Sequence, residues 1–337
     1  MKIDIFNHIF PPAYFDRMLE VAGDYKDMGK RTREVPVLYD LDARFRMMDR
    51  FGDDYLQILS LAAPPIEVLV GPDLAVDLAK RANDGMAELV ARHPNRFPAF
   101  IASLPMNDPR AAAEEMHRAV RDLKACGIQI FSNAAGKPLD LPEFQPLFDG
   151  MAKYDLPIWL HPARAANFPD YLSESASEYE IWWTFGWPYE TSVAMARLVF
   201  SGLFDRHPEI KVITHHLGAM IPYFEGRVGP GWDQLGSRTS DKDLTQVLKR
   251  LKKRPLDYFK MFYADTAVFG SAAATRCGLE FFGVDKVLFA SDSPFDPEKG
   301  PMYIRETIRV IDELDVSDQE RAQIYSGNAI RLLRLKL

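Results

Sequence analysis

The chain has 337 residues, of which 47% are hydrophobic and 26% are charged, a balance typical of a protein that folds around a large core. Its formal net charge of −7 excludes generic nucleic-acid binding, which depends on positive charge facing phosphates. No apolar run approaches the ~20 residues of a membrane span, and the two cysteines, Cys126 and Cys277, are too few for a disulfide framework. We therefore expect a cytoplasmic enzyme without nucleic-acid or membrane partners.

Eight short apolar segments recur along the chain, and each is followed by a stretch with helical periodicity. Nearly continuous apolar character is typical of parallel strands that are covered on both faces. No glycine-rich phosphate-binding turn follows any of them, which disfavours a doubly wound open sheet. We predict the α/β class, and within it a single (β/α)8 TIM-barrel domain over residues 1–337. The predicted strands are Lys2–Asn7, Tyr55–Leu61, Phe97–Ser103, Gly127–Ser132, Pro157–His161, Ile210–His215, Met261–Asp265 and Lys286–Asp292.

Two loop insertions exceed what a minimal barrel needs. They are Pro11–Tyr39, after strand 1, and Ala165–Tyr189, after strand 5. Both follow the carboxyl end of a strand, which is where barrels build their active sites. The second insertion carries Trp183 and Trp187 in a dense aromatic run. We interpret these two side chains as walls of a substrate pocket, with plain packing as the alternative.

Four histidines and one carboxylate stand at or just beyond predicted strand ends. Because all strand ends of a closed barrel face one opening, these distant residues are expected to converge. Imidazole nitrogens with a carboxylate oxygen suit one divalent metal ion, zinc first and manganese as the alternative. The residues are His8, His161, His215, His216 and Asp292.

Short motifs spread along the chain resemble the amidohydrolase superfamily, in the branch that contains aminocarboxymuconate-semialdehyde decarboxylase and γ-resorcylate decarboxylase. Each motif is weak alone, but their order makes the resemblance specific over nearly the whole chain. The motifs are Ile3–His8 with Pro11, Leu160–Pro162, Thr214–Gly218, Tyr263–Ala267, Ala290–Phe295 and Ser326–Ala329.

The resemblance implies that His8, His161 and Asp292 bind the metal. The family carries a first ligand two positions before the residue matched by His8, but this chain has Phe6 there, which offers no ligand atom. A weaker site, a changed metal preference or a metal-free protein would follow from that loss.

Further roles are also implied by resemblance. His216 matches the catalytic histidine of the family, and Asp292 is a second catalytic group. Strand alternation is expected to turn His215 to the opposite side, as a structural residue. Arg227 matches an arginine that contacts the substrate carboxylate, from the neighbouring subunit of a homodimer or larger homo-oligomer. Arg44, with Arg33, is a weaker candidate for anion contact.

These expectations favour a metal-dependent, non-oxidative decarboxylase of a small aromatic or unsaturated carboxylic acid. A metal-dependent hydrolase of a lactone or related ester uses nearly the same residues and is the first alternative. A barrel that binds a small carboxylate without turnover is the second, supported by Phe6. Released CO₂ separates the first two functions, and bound metal with turnover separates both from the third.

Overall fold

The computed structural model describes residues 1–23, 29–239 and 241–337. The predicted strands all form, and each overlaps its predicted segment. The third and eighth strands are short because only two residues of each keep regular ladder pairing. The eight strands are Lys2–Ile9, Tyr55–Leu61, Ala102–Ser103, Ile128–Phe131, Ile158–His161, Val212–Thr214, Tyr263–Asp265 and Val287–Leu288.

These eight strands are parallel and follow one another in chain order, and a separate antiparallel pair, Asn133–Ala134 with Lys137–Pro138, lies in the chain between the fourth and the fifth. The third to the eighth form one six-stranded sheet, and the first pairs with the second. Backbone hydrogen bonds join the two sheets at both seams. Ile101 N donates to Leu59 O at 2.8 Å, and Ile5 N donates to Phe289 O at 3.0 Å. This parallel arrangement with surrounding helices is that of the predicted (β/α)8 architecture, because consecutive strands neighbour each other around the ring.

Helices follow the strands and cover the outside of the barrel. Pro72, Pro109 and Pro301 each occupy the first position of a helix, where a missing N–H costs no hydrogen bond. The Asp108 carboxylate caps one helix by accepting from Ala111 N at 3.0 Å. None of the helices in the described ranges is both long and apolar enough to cross a bilayer. The α-helices are Pro12–Val21, Gly29–Arg33, Leu41–Met48, Ile66–Leu69, Pro72–Arg92, Pro109–Arg121, Gln145–Tyr154, Ile181–Thr184, Gly186–Phe200, Leu203–Arg206, Thr245–Arg250, Pro255–Phe259, Ala272–Phe282, Pro301–Asp312, Asp318–Ala322 and Asn328–Leu333.

Packed side chains fill the barrel interior. Ile5, Ile58 and Trp159 are fully buried there, and the helix Asn328–Leu333 packs against the same cluster near the beginnings of the strands. The interior is therefore a core and not a channel. The packed interior leaves the opposite end, where the strands finish, as the place for a site within the barrel.

The two predicted insertions lie at that end. The first includes the helices Pro12–Val21 and Gly29–Arg33, and its residues 24–28 lie outside the described residues. The second runs without regular structure until the short helix Ile181–Thr184, which carries Trp183, and Trp187 lies at the start of the next helix, Gly186–Phe200.

Candidate metal centre and substrate pocket

Four buried side chains converge at the carboxyl ends of the strands. Each offers one ligand atom, and these four atoms all lie within 4.8 Å of one another. His8 is next to last in the first strand, His161 ends the fifth, His215 follows the sixth, and Asp292 follows the eighth. The predicted convergence of His8, His161 and Asp292 is present, with His215 added to it.

In each of the three histidines, one ring nitrogen is held by the protein. His161 Nδ1 lies 2.7 Å from Pro162 O, which can only accept, so Nδ1 carries the hydrogen. His8 Nδ1 donates to Ser60 Oγ at 3.1 Å, because that hydroxyl gives its own hydrogen to a backbone carbonyl. His215 Nδ1 donates to Asp265 Oδ2 at 2.5 Å. The three Nε2 atoms thereby face the cluster and can each donate a lone pair to a metal ion when unprotonated, the arrangement that orients histidine ligands in metalloproteins.

Asp292 sits among these nitrogens. Its Oδ1 lies 2.9 Å from His8 Nε2 and 3.3 Å from His215 Nε2, and its Oδ2 lies 3.6 Å from His216 Nε2. Burial alone would raise the pKa of Asp292, but the charge of His215 and the close approach of the surrounding imidazole nitrogens outweigh it and hold the pKa well below 3.8. The carboxylate is therefore ionised at neutral pH.

The histidines differ in their protonation. Burial, reinforced by His215 and His8, lowers the pKa of His161 well below 6.5, which keeps the ring neutral and able to ligate. Burial also lowers the pKa of His215, but Asp265 and Asp292 on either side outweigh that effect and raise it to about 9. The two carboxylates thus favour a positive charge at this position, carried either by a proton on His215 Nε2 or by a metal ion that replaces that proton.

The expectation that His215 points away from His216 is wrong. Alternation stops because the sixth strand ends at Thr214, and the chain then enters a 3₁₀ turn in which His216 has a φ of +53°. The two rings lie side by side with centroids 3.8 Å apart. Both consequently reach Asp292, although His216 lies outside the four-atom cluster.

Phe6 faces the cluster with its ring. The side chain is fully buried, and its centroid lies 4.9 Å from that of His8 and 4.5 Å from that of His215, edge to face in both pairs. Position 6 therefore points at the centre, where it places an apolar edge and no ligand atom.

A cavity of about 250 Å³ opens beside the cluster. Trp183 and Trp187 lie on its wall, as do His161, His216 and Asp292. Sequence reasoning missed Arg31 and Tyr303, which also line it, together with Phe269 and Phe295. Arg31 lies within the predicted first insertion, but nothing in the pattern distinguished it from Arg33, which is exposed.

Arg44 does not line this cavity, and its predicted contact with a substrate anion is corrected. The side chain is 1% exposed, and its guanidinium donates to Val37 O at 3.2 Å, Asn7 Oδ1 at 3.0 Å, Gln57 Oε1 at 2.6 Å and the His8 carbonyl. Every one of these partners belongs to the protein interior. Arg44 therefore supports the backbone at His8 from behind the site.

Arg227 lies outside the cavity of its own chain. It begins the turn Arg227–Gly231, is exposed, and places its guanidinium 5.9 Å from the ring centre of Phe224. It lines a separate surface groove together with Tyr189 and Trp232. Its predicted contact would require a second subunit and stays a prediction.

The barrel and the His–Asp cluster at its carboxyl end define a metal-dependent enzyme of the TIM-barrel type. The family model described as amidohydrolase matches residues 3–335, and the chain therefore belongs to the amidohydrolase family. The chain is 33% identical to γ-resorcylate decarboxylase of Rhizobium sp. (strain MTP-10005), over 99% of this chain and 98% of that protein. It is 28% identical to 2-amino-3-carboxymuconate-6-semialdehyde decarboxylase of Dictyostelium discoideum, over 99% of this chain and 92% of that protein.

Among solved structures, it is similar to 5-carboxyvanillate decarboxylase of Novosphingobium aromaticivorans complexed with manganese and 4-hydroxy-3-methoxy-5-nitrobenzoic acid. The TM-score is 0.83 at 27% identity, and the match covers 99% of this chain and 96% of that one. These three proteins are all carboxy-lyases, and the chain falls with the decarboxylases of its family.

Proposed function

We propose that this protein removes CO₂ from a small, single-ring aromatic carboxylic acid with the help of one divalent metal ion held by His8, His161 and Asp292. The observation that carries the proposal is the convergence of buried, oriented imidazoles and one ionised carboxylate beside an aromatic-walled cavity. Its volume of about 250 Å³ lies near the small end of ligand pockets, which favours a single ring.

The walls of the cavity fit such a substrate. Trp183, Trp187, Phe269 and Phe295 supply aromatic surface on which a flat ring can stack. Arg31 is the one arginine or lysine that lines the cavity among the described residues, and its guanidinium lies 5.1 Å from the ring centre of Phe295. A planar guanidinium matches a carboxylate, so Arg31 is our candidate for binding the acid group.

The metal would hold the oxygen atoms of the substrate and neutralise their negative charge. Asp292 would take up a proton when the anionic substrate binds and would deliver it to the ring carbon. The bond between that carbon and the carboxylate would then break, releasing CO₂ and returning its electron pair to the ring. An anionic substrate placed against Asp292 raises the pKa of that carboxyl, because like charges disfavour ionisation. His216, whose Nε2 lies 3.6 Å from Asp292 Oδ2, returns a proton from water after each turnover.

Zinc and manganese are both candidates for the ion. Imidazole-rich sites suit zinc, whereas the Novosphingobium aromaticivorans neighbour was solved with manganese. We also propose a homodimer or larger homo-oligomer in which Arg227 of one copy approaches the cavity of another. Its exposure next to the exposed Tyr223 supports this arrangement. The cytoplasmic location inferred from cysteine usage stays a prediction.

The proposal is tested by loading the purified protein with zinc or manganese and measuring CO₂ release. The panel is γ-resorcylate, 5-carboxyvanillate and 2-amino-3-carboxymuconate-6-semialdehyde, the compounds named by its relatives. We expect CO₂ from at least one aromatic acid, with loss of activity on chelation. Lactone hydrolysis without CO₂ would favour the hydrolase alternative, and metal binding without turnover would favour the binding barrel.

A further inference from the structure

We infer that His215 is a metal ligand, which gives this chain a centre of three histidines and one aspartate. The inference rests on the proposed function, because it requires that the cluster holds a divalent ion. It goes beyond the set of His8, His161 and Asp292, and it assigns to His215 the coordination that Phe6 cannot provide.

The first support is the orientation of His215. The imidazole of His215 and the carboxylate of Asp265 are both buried from solvent, and His215 Nδ1 donates to Asp265 Oδ2 at 2.5 Å. Asp265 is itself fixed, because its Oδ1 accepts from Ala267 N at 3.1 Å. A carboxylate behind a histidine fixes its tautomer and makes the opposite nitrogen a better ligand. His215 is the one histidine of the cluster that has such a carboxylate behind it.

The second support is an unsatisfied atom. His215 Nε2 is buried without a hydrogen-bond partner, since its 3.3 Å approach to Asp292 Oδ1 lacks hydrogen-bond geometry. Buried polar atoms in native proteins nearly always have a hydrogen-bond partner, and an unpaired one is a position that a bound ion or water can satisfy. An ion shared with Asp292 and the two other histidines satisfies this atom.

The third support is the position of Phe6. The Phe6 ring lies edge to face against three imidazoles. Its centroid is 4.5 Å from that of His215, 4.9 Å from that of His8 and 5.7 Å from that of His161. The apolar edge closes that side of the centre to water. Ligation from the first strand is then limited to His8, and His215 is the remaining buried donor within 4.8 Å of the other three ligand atoms.

The chain offers a matched control in the adjacent residue. His216 has the same side chain and also approaches Asp292, but it lies outside the four-atom cluster and has no carboxylate behind it. We would compare the wild-type protein with His215→Asn, His216→Asn and His161→Asn. Each would be stripped with chelator, and Mn²⁺ affinity and stoichiometry would be measured by the electron paramagnetic resonance of free Mn²⁺, with circular dichroism as the check on folding.

We expect His215→Asn to weaken Mn²⁺ binding by at least about 100-fold, similar to His161→Asn, because loss of a ligand exceeds the 10- to 100-fold effect of losing a supporting partner. His216→Asn should stay within about threefold of wild type. Asp265→Asn, which keeps His215, should weaken binding by roughly 10- to 100-fold and serves if His215→Asn does not fold.

The outcomes separate this inference from the proposed function. Wild-type affinity in His215→Asn and Asp265→Asn, with affinity lost in His161→Asn, would overturn the role of His215 and leave the proposed centre intact. A wild-type protein that binds no divalent ion would overturn both.

Discussion

Replacement of Arg44 by methionine tests whether this residue stabilises the interior behind His8 or contacts the substrate. The change keeps the length and apolar stem of the side chain but removes the donors for four interior oxygen atoms. Each buried acceptor left unpaired costs about 1–3 kcal/mol, while removal of a buried charge returns part of that cost. We expect Arg44→Met to lower the free energy of unfolding by about 3–5 kcal/mol, a large share of the ~5–15 kcal/mol of a typical protein.

The assay is urea unfolding together with steady-state kinetics on the folded fraction. Because Arg44 supports the carbonyl of His8, metal affinity and kcat should fall along with stability, without a selective rise in KM. Arg31→Met is the control for a residue that contacts substrate without stabilising the fold. It should raise KM by roughly 10- to 100-fold, the loss of one charge-assisted interaction, and change stability by less than about 0.5 kcal/mol. If Arg44→Met instead kept wild-type stability and raised KM alone, Arg44 would contact the substrate, and its assignment to the protein interior would be refuted.

Three further variants test the centre and its surroundings. Asp292→Asn should lower kcat by about 10²- to 10⁴-fold in CO₂-release assays while circular dichroism shows a folded barrel, and near-wild-type rates would exclude it as the proton donor. Phe6→His should tighten Mn²⁺ binding by about tenfold or more, with a larger gain in the His215→Asn background; no gain in either titration would contradict a centre that position 6 faces. Glu67 is buried with an unpaired Oε1, and burial raises its pKa to about 8. The folded protein then keeps this proton above pH 4.5 while the unfolded chain loses it, so stability falls as the pH rises from 4.5 to 8. Glu67→Gln should be more stable than wild type by on the order of 2 kcal/mol at pH 8.5 in urea unfolding, and equal stability of the two proteins there would refute the raised pKa.

The strands were predictable because burial on both faces leaves a direct mark on composition. Segments such as Tyr55–Leu61 are nearly continuously apolar, and both faces of that strand are indeed buried. The ring order of the strands then placed His8, His161 and Asp292 at one end without any knowledge of the loops. The two-residue alternation of side chains along a strand could not predict the backbone conformation beyond the end of that strand. His216 adopts a left-handed conformation immediately after Thr214, and a period of two has no meaning there.

Pocket residues on loops escaped prediction for a related reason. Arg31 and Arg33 lie in the first insertion and Arg44 lies in the helix that follows it, Leu41–Met48, and in the sequence all three are simply positively charged side chains. Only packing separates them: Arg44 is enclosed by interior acceptors, Arg33 is exposed, and Arg31 lines the cavity. Tyr303 stands in a helix after the eighth strand, and no local pattern marks its approach to the cavity.

Position 6 shows that the sequence also limits what can be predicted about the candidate metal centre. The sequence reveals that a ligand is missing there, because phenylalanine has no atom to donate. It cannot reveal a replacement, because a replacement need not come from the first strand. In a barrel, a ligand can be supplied by any strand end that faces the opening, and here the end of the sixth strand brings His215 against the Phe6 ring at 4.5 Å. A ligand set in this fold is therefore a property of the whole ring of strand ends, and a motif read from one strand can lose a member while the number of donors around the ion is kept.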